Sequence, residues 1–375
     1  MKTLIVGGGV AGLTIGWRLA AGGCQVEVLE RGLAGRGSSW AAAGMLAATA
    51  ESEMRDDNYA RLAHAGRAAW PKFAAELQKV SKIPLGYRVC GALLVAQSER
   101  RAGELKSTAG ELSARGQNVA WRSQEEIVGL EPLLSPKIKG ALYAPEDAQV
   151  DNRRLSIALT RAFKAAGGTL REHCDVRALK VKHGAVTGVA TVDGHIPADK
   201  VVIAAGAWSS KIDGIDEGVL PPVRPAKGQM TAIAPPDGMA MPNRLIWGEE
   251  IVYLVPRSES LLIGATVEDV GFETSVSHQT LKELIARASQ LVPSLSSWRV
   301  VESWAGLRPR TPDDSPVLGE TAIAGLVVAS GQYRNGILFA PVLADMIRSL
   351  LLEEDPGPLF RCFSPERFAK NRLAS

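Results

Sequence analysis

The chain has 375 residues, enough for two domains with separate cores. Hydrophobic residues make up 46% and charged residues 22%, as in ordinary globular proteins, and 43 Lys plus Arg against 40 Asp plus Glu leave a formal charge of +3. That balance argues against a nucleic-acid partner, and the lack of a basic tract argues against an anionic membrane surface.

Cys24, Cys90, Cys174 and Cys362 are scattered, with no CxxC or Cys/His cluster, so neither a metal centre nor a disulfide framework is expected. Arg18 and several glycines interrupt the apolar run after Lys2, which suits a tight turn better than a signal-peptide core. No stretch reaches about 18 uninterrupted apolar residues, so no membrane span is expected, and the expected location is cytoplasmic.

In chain order, Leu4 to Val6 reads as a buried strand, Gly7 to Gly12 as a turn, Leu13 to Ala21 as a helix and Val26 to Leu29 as a second strand, together one βαβ unit. A Gly/Ser/Ala-rich segment follows, RGLAGRGSSWAAAGML (31–46), then a helical region over about 59–80 and a strand over 88–95. Ser123 and Glu126 form a capping-box pattern for a short helix, and Asp151 can cap a longer one that stops at Gly167-Gly168. Residues 176–204 read as strands with a tight turn at Asp193-Gly194. The region 221–270 is rich in Pro and strand formers, Ser277 to Leu291 is an amphipathic helix, and the last 75 residues hold WAGLRPRTPDDSPVLGE and VVASGQYRNGILFAP. Strand–helix alternation at both ends around a β-rich middle predicts an α/β and α+β chain. A Rossmann-like nucleotide-binding domain is assembled from 1–85, 141–220 and 300–375, and a mostly antiparallel substrate domain from 86–140 and 221–299 is inserted into it.

Gly7-x-Gly9-x-x-Gly12 lies between a predicted strand and a predicted helix. Gly7 permits the turn, Gly9 lets backbone approach a pyrophosphate, and Gly12 allows close helix–strand packing, while the helix N-terminus offers N–H groups to phosphate. A ligand-free βα turn would also use glycines. Glu30, ending the second strand, adds an acid at about the spacing of a ribose ligand, and an acid there favours FAD or NAD over NADP.

Three further stretches favour a flavin. The small residues of GSSWAAAGML (37–46) permit close approach to a flat ring, and Ser38 and Ser39 can hydrogen-bond to it. The strand VVI (201–203) ends in Ala204-Ala205-Gly206-Ala207, where backbone can lie against a ligand. In GQYRNG (331–336), Arg334 and Asn335 sit in a polar turn that starts a helix, whose dipole would stabilise the negative charge of a reduced flavin.

Taken together, Gly7 to Gly12 with Glu30, SSWAAAGML, GLRPRTPDDSPVLG and GQYRNGILFAP resemble the D-amino-acid-oxidase superfamily, and within it the glycine oxidases of bacterial thiamine biosynthesis. The resemblance covers nearly the whole chain. It implies FAD and oxidation of a small amino acid or amine (glycine, sarcosine, D-amino acids) to an imine, with oxygen reduced to hydrogen peroxide. An amine dehydrogenase passing electrons to a quinone or other acceptor is the alternative. It further implies Gly7, Gly9, Val10, Ala11, Gly12, Glu30 and Arg31 around the dinucleotide, with Val176 at the adenine half. Ser38, Ser39, Ala42, Ala43, Gly44, Met45, Ala205 and Gly206, and then Arg334, Asn335, Gly336, Ile337 and Leu338, fall around the ring. Arg308 looks like the carboxylate clamp, Tyr253 like its phenolic support, and Arg334 like a cation at the substrate's edge. Where many members have His this chain has Gln332. Relatives that attach FAD covalently do so through a Cys near Gly306, so noncovalent FAD is expected here. Family members are often oligomers, which leaves self-association as an implied partner. None of the five histidines falls in a motif, so none is a catalytic candidate.

Overall fold

A computed structural model describes residues 2–52, 56–216, 218–250 and 252–369. The first strand, Lys2–Val6, pairs in parallel with Gln25–Leu29 on one side and Lys200–Ile203 on the other. Thr169–Arg171 and Leu326–Ser330 extend the sheet in parallel, and Val317–Glu320 closes it as an antiparallel edge, giving six strands. Because a strand alternates its side chains, Ile5, Val28, Val202 and Val327 face one side and Leu4, Val201, Ile203 and Val328 the other. The first side packs on helices Val10–Ala21, Asp57–Ser81, Asn152–Ala165 and Gly336–Leu351. The second packs on a three-stranded meander over Val176–Lys182, Ala185–Thr191 and Gly194–Pro197. A sheet covered on both faces explains the apolar runs at 4–6, 201–203 and 326–329.

The second body is an eight-stranded sheet. Arg299–Arg310 forms one edge beside the long strand Arg224–Ala234, and only the pairing of Leu245–Trp247 with Ala92–Ala96 is parallel. Gly140–Ala144 and Arg299–Arg310 belong to this sheet and straddle the domain boundaries expected at 140/141 and 299/300. Helix His278–Leu291 covers the face carrying Leu93, Ile246, Leu254 and Ile263. The opposite face carries Met230, Tyr253 and Val255 and meets Ala43 and Ala47 of the first domain.

The expected caps form: Ser123 and Glu126 make a capping box, Asp151 accepts from Arg153 and Arg154, and Ser277 accepts from Thr280. The strand expected over 88–95 is split into Arg88–Val89 and Ala92–Ala96 around Gly91, which adopts φ +74°. Among the described residues, no helix is long and apolar enough to cross a membrane.

Candidate active site

The parallel strands deliver their carboxyl ends to a cavity of about 500 Å3, within the size range of ligand sites at this position of α/β sheets. Two helix N-termini open on it, those of Val10–Ala21 and Gly336–Leu351, and neither has an acidic residue in its first turn. In the first, the Leu13 N–H bonds to the Gly9 carbonyl at 2.9 Å, so the N–H groups of Val10, Ala11 and Gly12 have no intrahelical partner. Ser39 Oγ accepts from Val10 at 2.8 Å, which leaves Ala11 and Gly12. In the second, the Phe339 N–H bonds to Asn335 at 2.9 Å, so the Gly336, Ile337 and Leu338 N–H groups are likewise without intrahelical acceptors.

The three glycines of the first turn separate by cause. Gly7 has φ +109°, and a Cβ there would lie 2.4 Å from the Ala204 carbonyl oxygen. A Cβ on Gly12 would lie 2.0 Å from the Gly7 oxygen. Packing therefore demands both. At Gly9 the nearest atom to such a Cβ is Ser39 Oγ at 3.4 Å, and Gly9 lines the cavity. Close packing within the chain does not explain Gly9, whereas a close-lying ligand does.

Glu30 accepts from the N–H groups of Gly8 (2.8 Å) and Gly32 (2.9 Å). That fixes the carboxylate at the cavity wall with lone pairs to spare for hydroxyl donors. Arg31 lies 3.6 Å from the Trp208 ring centroid, and Val176, Ala205 and Gly206 complete that end. Gln332 is 5% exposed and lines the same cavity, yet its amide Nε2 has no hydrogen-bond partner within the chain. A buried unpaired donor is costly, so it marks a place where a ligand acceptor fits.

A chamber of about 80 Å3 adjoins this cavity and shares Ser38, Ala42, Tyr333, Arg334 and Ile337 with it. Ala43, Gly44 and Met45 wall one side, and Met230, Tyr253 and Arg308 another. Arg308 Nη1 donates to the carbonyls of Thr266 (3.0 Å) and Lys227 (3.4 Å). The acidic residues near it in sequence are engaged elsewhere: Asp313 with Arg367 (2.7 Å), Asp314 with Arg310 (2.6 Å) and Glu302 with Arg153 (2.7 Å). Among the described residues no carboxylate lies within 4.0 Å of Arg308, whereas Arg310, two residues on, is exposed and paired with Asp314. Tyr253 is 6% exposed, with its hydroxyl 3.6 Å from Met230 Sδ.

Other expected residues fall in less direct places. Asn335 borders the chamber, but its side-chain amide donates to the Tyr59 hydroxyl at 2.6 Å in the core. Leu338 lines neither space, and its carbonyl accepts from the Trp70 indole. Gly12 lies beneath Gly7, away from both. Ser38 donates to the Leu307 carbonyl, tying the Gly/Ser/Ala segment to the strand that carries Arg308. Sequence reading passed over Gly228 and Gly264, on whose bare faces Arg308 and Tyr253 rest, and Arg257, which grips the back of the Ala43 turn. A glycine inside a predicted strand was the available signal for the first two.

The site is thus a cavity at the carboxyl ends of a Rossmann-type sheet, opening on a small chamber lined by Arg308, Arg334 and Tyr253. The family model described as FAD dependent oxidoreductase (DAO) matches residues 2–350, and the chain belongs to that family. It is 37% identical over 372 residues to the bifunctional protein ThiO/ThiG of a Synechocystis strain, covering 97% of this chain and 54% of that protein. The chain thus spans about half the length of the first curated relatives that it matches. It is 35% identical over 350 residues to glycine oxidase of Geobacillus kaustophilus, covering 92% of each. A crystal structure of glycine oxidase from Geobacillus kaustophilus superposes with TM-score 0.92 at 34% identity, covering 98% of this chain and 99% of that one. Iminodiacetate oxidase from Chelativorans sp. BNC1 superposes with TM-score 0.86 at 28% identity, covering 97% and 98%.

Proposed function

We propose that the chain is a noncovalent FAD enzyme that oxidises a small amino acid, with glycine as the leading substrate. Oxygen is the acceptor, and the products are the imine and hydrogen peroxide. The observation that carries this reading is Arg308, a cation with only backbone acceptors, lining a chamber of about 80 Å3 beside the dinucleotide cavity. A planar carboxylate is the natural partner of such a guanidinium, and the chamber leaves space for little more than a small side chain.

FAD would lie with its pyrophosphate at the Gly9–Gly12 helix end, its ribose at Glu30 and its ring toward Ala42–Met45 and Gly336. The chemistry supplied by bound FAD is two-electron oxidation by hydride uptake at N5, followed by electron transfer to oxygen. The chain's residues bind and orient. Arg308 holds the substrate carboxylate, and Tyr253, on the same wall, bounds the space left for the rest of the substrate. Orientation of this kind lowers the barrier without any acid–base side chain, provided the substrate reacts as the neutral amine. Water then hydrolyses the released imine to a 2-oxo acid and ammonia, or methylamine where the substrate is sarcosine. Among the described residues no cysteine lines the chamber proposed for the ring, and Cys174 lines only the larger cavity.

The test is a panel of glycine, sarcosine and D-amino acids assayed for peroxide, with and without an artificial acceptor. Peroxide formed with small substrates alone supports the reading. Turnover only with the artificial acceptor would replace oxygen with another electron acceptor.

A further inference from the structure

Arg257 follows strand Tyr253–Pro256 and turns its guanidinium inward between the two domains. Four uncharged acceptors surround it: the Gln149 side chain, the carbonyls of Ala43 (2.5 Å) and Val150 (3.2 Å), and Asn152 Oδ1 (3.4 Å). Among the described residues no carboxylate lies within 4.0 Å of it, and enclosure lowers its pKa to about 10, so it remains a cation at neutral pH. A cation hydrogen-bonded only to uncharged acceptors, with Asp151 acting on it from beyond ion-pair distance, is an expensive way to join two segments, since an uncharged side chain could pack there. Its contacts suggest what it does. Asn152, one of its acceptors, donates from Nδ2 to the carbonyls of Ser39 (3.0 Å) and Trp40 (2.8 Å). Arg257 and Asn152 together therefore pull three carbonyls of the 39–43 segment away from the chamber.

We propose that Arg257 is a positioning residue that sets the peptide between Ala43 and Gly44 for the cofactor. A trans peptide points its C=O and the next N–H in opposite directions. With the Ala43 carbonyl drawn to Arg257, the Gly44 N–H points the other way, toward the chamber that Gly44 lines. That N–H has no acceptor among the described residues. The conformation is further locked by Gly44 itself. It adopts φ +69°, its carbonyl accepts from Val150 at 2.8 Å, and a Cβ there would lie 2.0 Å from the Val150 oxygen and 3.0 Å from Arg257 Nη2. Arg257 thus offers an aimed donor and a fixed positive charge behind the turn, and both favour the anionic reduced flavin. The inference rests on the FAD reading above.

The experiment uses the full chain reconstituted with FAD, comparing Arg257→Met and Arg257→Lys with the unsubstituted protein. The readouts are the FAD dissociation constant and the reduction potential of the bound flavin. Arg257→Met is expected to weaken FAD by about tenfold, the equivalent of one lost buried hydrogen bond, and to lower the potential. Arg257→Lys, which keeps the charge but not the fork, falls between. If Arg257→Met does not fold, Arg257→Lys carries the same comparison. Variants that lose only thermal stability, with FAD affinity and potential unchanged, would reduce Arg257 to a structural brace and overturn the inference. Failure of the unsubstituted protein to bind FAD would instead remove the functional reading beneath it.

Discussion

The guanidinium of Arg308 lies directly across Gly228: a Cβ on Gly228 would sit 2.3 Å from Nη2 and 2.5 Å from Cζ. Gly228 is on strand Arg224–Ala234 and Arg308 on the edge strand beside it, so the proposed clamp needs a bare patch on its neighbour. Arg308→Ala is expected to raise KM for amino acids by about 10- to 100-fold, the worth of a charge-assisted hydrogen bond, with FAD still bound. Gly228→Ala, which leaves every charge in place but displaces the guanidinium, should shift KM in the same direction. Steady-state kinetics on both variants check this, and an unchanged KM in Arg308→Ala contradicts the clamp.

The separation of the turn glycines gives a paired prediction. Gly12→Ala forces a methyl group onto the Gly7 carbonyl and should cost about 1–3 kcal/mol of stability even without cofactor. Gly9→Ala meets only Ser39 Oγ, so the cofactor-free protein should melt as before while its FAD affinity falls. Thermal melts and flavin titration of the two variants distinguish these outcomes. Equal losses of apo stability would refute the assignment of Gly9 to the ligand.

Gln332 should behave in the opposite way to an ordinary buried amide. Its Nε2 has no partner in the chain, so Gln332→Met relieves an unsatisfied donor and should leave cofactor-free stability unchanged or higher. FAD affinity should fall by about tenfold if the cofactor accepts that hydrogen bond. Unchanged affinity would mean that the amide does not meet the cofactor.

Asp147 makes stability depend on pH. Its carboxyl is fully buried, accepts from the N–H groups of Thr49 (3.2 Å) and Ala50 (3.3 Å), and is pushed up to about 6 by burial, against the pull of Arg67 at 3.7 Å. The folded pKa exceeds the unfolded one, so the native state binds more protons between about pH 4 and 6, and stability contributed by this group falls as pH rises through that window. Relative to Asp147→Asn, the unsubstituted protein should lose about 2 kcal/mol between pH 4 and 7 in denaturant titrations. A constant difference between the two would contradict a raised pKa.

The βαβ unit, the helix caps and the acid at Glu30 were legible because each depends on local pattern: alternating burial, a capping box, glycines at fixed offsets. Helix Glu99–Ala114 was not read, because it buries only Leu105 and Ala109 and so shows too thin an apolar stripe. Asn335 was read as lining the cofactor face because it sits in a polar turn, and it does line the chamber; what no local pattern could show is that its amide reaches Tyr59, which is 276 residues away in sequence. Arg257 was invisible for the same reason, since its acceptors come from residues 43 and 149–152. The Gly/Ser/Ala segment drew notice by composition alone, but the hydrogen bonds that shape it from behind come from Arg257 of the other domain and from Asn152 at the start of helix Asn152–Ala165.

The most direct measurement is anaerobic addition of glycine to the FAD-loaded protein while flavin absorbance is followed. The account predicts a yellow protein that glycine bleaches, with Arg308→Ala equally yellow but requiring far more glycine. A protein that takes up no FAD, or a bound flavin that neither glycine nor any other small amino acid reduces, would contradict it.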